Sequence, residues 1–168
     1  VIVNAGAILP LVSVLSNGKS DFGRNQAATT LHTLANSGPA NQIAIAIGLV
    51  ALLGVGTDQA QEYVTQLLLD LTSAGADADL ESVKTNRLAI ANAGPFRMLV
   101  MQLQSASAKV RMLGSAVLSK LSGDMEQNVT EIANANGISP LVALLGEDNA
   151  DTQHNASAVL ADMSRVLL

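Results

Sequence analysis

Few residues in this 168-residue chain have the chemistry of an active site. His32 and His154 are its only imidazoles, and cysteine is absent. They lie far apart in sequence, and neither has a second histidine one helical turn away to complete a metal face. The acidic run Asp77-Ala78-Asp79-Leu80-Glu81 opens like a calcium loop. A calcium loop needs glycine at its sixth position and a bidentate glutamate at its twelfth, where this chain has Ser82 and Leu88. The run therefore reads as a solvated acidic loop. Gly146-Glu147-Asp148-Asn149-Ala150-Asp151 likewise reads as a loop and helix cap, with acids near a helix N-terminus. No Gly-x-Ser-x-Gly elbow, Walker loop or dinucleotide fingerprint occurs, and Gly54-Val55-Gly56 has no third glycine. The sequons Asn128-Val129-Thr130 and Asn155-Ala156-Ser157 both fall in stretches of helical periodicity. With no nucleophile–base pair or metal cluster, the expectation is a non-catalytic chain without cofactor or metal.

Composition narrows the remaining classes. Net charge is −5, with nine Lys and Arg scattered along the chain, so nothing is concentrated enough to neutralise a phosphate backbone. Apolar residues make up 49% and aromatics 2%, so the core must be aliphatic. Ala, Leu and Gln favour helix, and proline is confined to four places. The longest uncharged apolar run, Ile43 to Gly56, is too short for a bilayer and is expected as two buried helices with a bend.

The elements that must position any function are set by a repeated phrase. Leu11-Val12-Ser13-Val14-Leu15 returns as Leu49-Val50-Ala51-Leu52-Leu53, Leu99-Val100-Met101-Gln102-Leu103 and Leu141-Val142-Ala143-Leu144-Leu145, at intervals of 38, 50 and 42 residues. A second anchor, Leu34, Leu71, Leu121 and Met163, keeps nearly the same beat at 37, 50 and 42. A period near forty marks a helical solenoid. Each unit reads as three helices: a short one, one carrying the phrase, and a long one. The long helices carry Leu31 and Leu34, then Val64, Leu68 and Leu71, then Gly114, Leu118 and Leu121, then Ala156, Leu160 and Met163. Offsets of four and three put one apolar stripe on each. Gly18, Gly38, Gly54, Gly94, Gly123, Gly137 and Gly146 punctuate them, and Asp21, Asp58 and Asn149 stand where N-caps belong. The expected units are 1–38, 39–74, 80–123 and 124–168, with a loop insertion at 73–79 and a trimmed first helix in the second unit.

These residues resemble the armadillo repeat family. Its "I-x-x-A-G-A-I-x-P-L-V-x-L-L" pattern is met by Ile2 to Leu15 and again by Ile132 to Leu145. Its "R-x-x-A-A-x-x-L-x-x-L-A" third helix is met by Arg24 to Ala35. HEAT repeats compete, but have two helices per unit and lack the Pro-Leu-Val opening. The resemblance implies an all-α, right-handed superhelix of about four repeats, the terminal ones incomplete. It also implies a concave groove lined by the third helices that holds extended peptides. Carried over, the groove positions are Asn25, Thr29 and Thr33; Glu62, Gln66 and Asp70; Met112, Ala116 and Lys120; His154, Ala158 and Asp162. Nuclear-import adaptors of the family carry Trp and Asn at the second and third of these positions; no unit here does. Lys120 is the ladder's only cation, unlike the basic groove of the cadherin-binding relatives.

The ends add a second expectation. Val1, Ile2 and Val3 run straight into the first phrase, and Val166, Leu167 and Leu168 close the chain, whereas solenoids cap their ends with polar faces. Further repeats or partner subunits are expected to cover them. The expected function is a protein–protein interaction scaffold, with a structural subunit of a larger complex, organellar or membrane-associated, as the alternative. The expected partners are proteins, without nucleic acid or a membrane span. The expected setting is intracellular, either cytoplasm or an organelle after transit-peptide removal.

Overall fold

The computed structural model describes residues 6–73, 79–123 and 125–167, apart from the side chain of Ser16. Ten helices and no strand occur among them: α1 Ile8–Asn17, α2 Asp21–Ala35, α3 Pro39–Val50, α4 Asp58–Thr72, α5 Leu80–Asn92, α6 Phe96–Gln102, α7 Ala108–Ser122, α8 Glu126–Asn134, α9 Ile138–Leu144 and α10 Ala150–Leu167. They form two compact units, Val1–Ala93 with α1–α5 and Gly94–Leu168 with α6–α10. The boundary lies between α5 and α6, inside the third expected repeat. The chain is an all-α repeat solenoid.

The long helices α2, α4, α7 and α10 start on capping side chains. The Ser20 hydroxyl accepts from Gly23 N–H at 3.1 Å, Thr57 from Ala60 at 3.3 Å, Ser107 from Val110 at 3.3 Å and the Asn149 carboxamide from Thr152 at 2.8 Å. Asn149 is thus the expected cap. Asp21 and Asp58 are not: Ser20 and Thr57, with extended backbones, take that role. The two aspartates occupy the first turn, where a carboxylate meets the positive helix end.

The second repeat departs from expectation. Its first helix is short, since α3 starts nearer to Leu49 than α8 does to Leu141 or α5 to Leu99. It is not bent away from the second: the two are fused, so α3 carries Ile43-Ala44 and Leu49-Val50 in one element. The break between the corresponding helices elsewhere requires a left-handed residue: Gly94 (φ 74°) between α5 and α6, and Asn136 (φ 63°) between α8 and α9. The second repeat has no such residue until Gly54 (φ 81°), after the helix. Glycine closure is also less uniform than the punctuation suggests, since Gly18 and Gly123 stay at negative φ. The long 50-residue interval is partly helix, because α5 has 13 residues against nine in α8. Of the expected 73–79 loop, residues 74–78 lie outside the described residues.

Leu31 and Leu34, Val64, Leu68 and Leu71, Leu118 and Leu121, and Ala156 and Met163 are buried, so the third-helix stripes form the core. Two repeated tethers join the layers. Positions 24, 61, 111 and 153, spaced 37, 50 and 42, each reach back to the turn before their own helix. Arg24 donates to the Gly18 carbonyl, and Gln61 accepts from Gly54 N–H at 2.8 Å. Arg111 donates to Ser105 O at 2.8 Å, and Gln153 to Glu147 O at 2.7 Å. Arginine and glutamine serve alike because the task is only to reach backbone groups that a turn leaves without partners. The second tether is an asparagine. Asn41 donates to Leu34 O at 3.2 Å, Asn86 to Leu71 O at 3.2 Å and Asn128 to Leu121 O at 2.8 Å. Each acceptor is the anchor leucine near a third-helix C-terminus, where the helical ladder runs out of donors.

Candidate protein-binding surface

In Val1–Ala93 the ladder is carried by α2 and α4. Asn25, Thr29 and Thr33 are exposed, on the side of α2 away from Ala27, Leu31 and Leu34. Glu62 and Gln66 are half-buried and Asp70 exposed along α4. The Thr29 and Thr33 hydroxyls each donate to the carbonyl one turn back at 2.9 Å. Tyr63 O–H donates to Asn25 Oδ1, tying the α4 rung to the α2 rung, and Gln66 Nε2 donates to Asp70 Oδ1 at 2.9 Å. The surface is therefore polar, weakly acidic and held by its own hydrogen bonds.

In Gly94–Leu168 the ladder is carried by α7 and α10. Met112 and Ala116 are half-buried and Lys120 exposed; His154 is exposed, with Ala158 and Asp162 half-buried. Asp162 accepts from Ser122 O–H at 2.7 Å and pairs with Arg165, so its charge is compensated within the unit. None of the twelve ladder positions is buried. Of the apolar ends, Val166 is half-buried and Leu167 exposed. Val1, Ile2, Val3 and Leu168 lie outside the described residues.

A cleft of about 700 Å³ opens in the first unit. It brings together side chains that the sequence kept apart, among them His32, Gln42, Asp70, Asp79, Ser82 and Asn86. Asn86 is buried and donates to Gln42 Oε1 at 2.8 Å, while its own Oδ1 has no donor. Among the described residues no group of three or more His, Cys, Asp or Glu could hold a metal ion, and no helix is long and apolar enough to cross a membrane.

Asp79, within the acidic run, is the N-cap of α5. The Ser82 hydroxyl, donating at 2.9 Å, does most to hold its carboxyl below the ordinary range, followed by the Glu81 amide. A depressed carboxyl stabilises the fold above its unfolded-state value and loses that contribution as pH falls through the folded-state value. Carbon-13 titration of Asp79 is expected to show a midpoint below about 3.9, the usual aspartate value. Ser82→Ala is expected to raise it; an unmoved midpoint would remove the hydroxyl as the main cause.

The two tethers escaped the sequence reading, although the 37, 50 and 42 spacing of positions 24, 61, 111 and 153 was available as a signal. The asparagines kept no such beat, because Asn41 and Asn128 lie seven residues after their acceptors and Asn86 fifteen.

Comparison with known proteins bears on the same features. The armadillo/beta-catenin-like repeat family model matches residues 125–165. No curated protein matches the sequence. Among solved structures, one engineered protein aligns at TM-score 0.74 and 25% identity, over 97% of this chain and 39% of its own. Another aligns at 0.72 and 23%, over 94% and 62%. A computationally designed armadillo repeat protein for modular peptide recognition aligns at 0.71 and 19%, over 98% and 72%. This chain therefore spans less than two thirds of the first two.

Proposed function

We propose, from the premise that the chain is an armadillo-like repeat solenoid, that it is a non-catalytic scaffold binding extended segments of partner proteins along the third-helix ladders. The observation that carries this reading is the solvent access of all twelve ladder positions while the opposite stripes fill the core. The solved relative built for modular peptide recognition supports it. The four repeats of the sequence reading are kept as its modular units.

The ladder's chemistry shapes the ligand. It has no aromatic residue and one lysine, so it lacks the Trp, Tyr and Arg that dominate binding hot spots. Affinity would come from polar side chains gripping an extended backbone, with Asp70 and Lys120 selecting charge. Selection of a random peptide library on the immobilised chain is expected to enrich extended sequences. Asp70→Lys, in the first unit, is expected to weaken the enriched peptides about tenfold or more through like-charge placement, with helicity unchanged. Peptides bound equally by wild type, Asp70→Lys and Lys120→Glu would sink the ladders as the site. A structural subunit of a larger complex is the second reading.

A further inference from the structure

The asparagine tethers differ in where they stand on their helices. Asn41 and Asn128 are the third residues of α3 and α8, whereas Asn86 is the seventh of α5. The difference is about one helical turn. That extra turn of α5 is capped by Asp79 and carries Ser82 and Val83, and it walls one side of the cleft inside Val1–Ala93. α3 and α8 start too close to their asparagines to supply such a wall.

The chemistry of the cleft is lopsided. Part of its lining is aliphatic, with Leu31, Ile45 and Val83 all buried. Two carboxylates, Asp70 and Asp79, are exposed at it, and no lysine or arginine is among the described residues that line it. The Ser82 hydroxyl, foremost, and the Glu81 amide keep Asp79 ionised at neutral pH. Asn86 adds an acceptor. The Leu71 carbonyl can only accept, so it fixes the carboxamide with Nδ2 toward Leu71 at 3.2 Å and toward Gln42 Oε1 at 2.8 Å. Oδ1 is left buried and without a donor. A buried oxygen in that state is costly until a donor reaches it.

We propose that this cleft binds a small organic cation, a protonated primary amine on an unbranched apolar stem. The ammonium head supplies N–H donors to Asp79, Asp70 and Asn86 Oδ1, and the stem lies against Leu31, Ile45 and Val83. Two carboxylates reject an anion and prefer a cation to a neutral hydroxyl, while the aliphatic lining prefers a plain stem to a second charge. At about 700 Å³ the cleft is of the size that takes small molecules. It shares only Asp70 with the ladders, so it stands or falls separately from peptide binding.

Nuclear magnetic resonance titration of the full chain with n-hexylammonium chloride, at constant ionic strength, is the test. The side-chain carbonyl carbons of Asp79 and Asn86 are expected to shift together, saturating in the millimolar range that so small a ligand reaches. 1-Hexanol, with the same stem and no charge, is expected to bind about tenfold more weakly. Asp79→Asn is expected to weaken hexylammonium about tenfold. Asparagine caps a helix as well as aspartate does, so circular dichroism of that variant is expected unchanged. Nα-acetyl-lysine methylamide, which carries the same head on a peptide backbone, is expected to bind more weakly than hexylammonium. An Asn86 signal unmoved at about 50 mM hexylammonium overturns the proposal, as does equal binding of hexanol. Unchanged affinity in Asp79→Asn overturns it too. Tighter binding of the lysine compound would assign the cleft to a partner's side chain and overturn the small-molecule site.

Discussion

Leu118→Ala is expected to destabilise the chain by about 3–5 kcal/mol, and Leu160→Ala by about half as much. The two leucines hold the same repeat position, 42 residues apart, on α7 and α10. Leu118 is fully buried, whereas Leu160 is half-buried. Truncating the first leaves a cavity enclosed on every side, while the second site already borders water and can relax. Stability of a repeat array is a sum of repeat and nearest-neighbour terms, so the difference between the two losses measures the neighbour's share. Against a total of about 5–15 kcal/mol for a domain, the Leu118 change is large enough to shift a urea midpoint unmistakably. Equal losses at both sites would show that stacking adds nothing and that each repeat stands alone.

Much of this architecture is legible because repetition turns a weak signal into a strong one. A single Leu-Val pair says little, but four in step with a second set of anchors leave one consistent arrangement of stripes, and those stripes are the core. Local backbone geometry was harder to read. Asp21 and Asp58 are as plausible as caps as Ser20 and Thr57; the choice turns on which residue adopts the extended conformation before the first turn. The fusion of α3 turned on the lack of a left-handed residue between Ile43 and Leu49. Gly48 looks like a breaker there but serves instead as the flat spot against which α1 packs.

The ladder was legible for a different reason. Once the apolar stripe of a helix is known, its opposite side follows from the 3.6-residue period. What the period cannot give is what lies beside it. The closeness of His32 to the cleft shared with Asp70 and Asn86 depends on how α2, α3, α4 and α5 meet. Val12, Val100 and Val142 stand in the same phrase, yet the first two are buried and the third is exposed. Sequence marks a residue as fit for burial; packing decides whether it is buried.

Asn128→Asp is the sharpest probe of the asparagine tether. The buried carboxamide donates to Leu121 O at 2.8 Å. Leucine at this site removes the donor and is expected to cost about 1–3 kcal/mol, the penalty for a buried carbonyl left short of a partner. Aspartate keeps the shape but at neutral pH sets a desolvated negative charge against that carbonyl, and is expected to cost about 3–5 kcal/mol. Burial and the facing oxygen both disfavour the charged form, so the folded-state carboxyl would titrate above its unfolded-state value. The sign follows: the penalty is full above the folded-state value and shrinks as pH falls toward the unfolded-state value, because the protonated acid can donate as the amide did. Urea midpoints of Asn128→Asp should therefore approach those of the wild type between neutral pH and about pH 4.5, while Asn128→Leu keeps a constant deficit. An aspartate variant no worse than the leucine variant at neutral pH would mean that α8 moves to hydrate the site and that the tether does not fix α8 against α7.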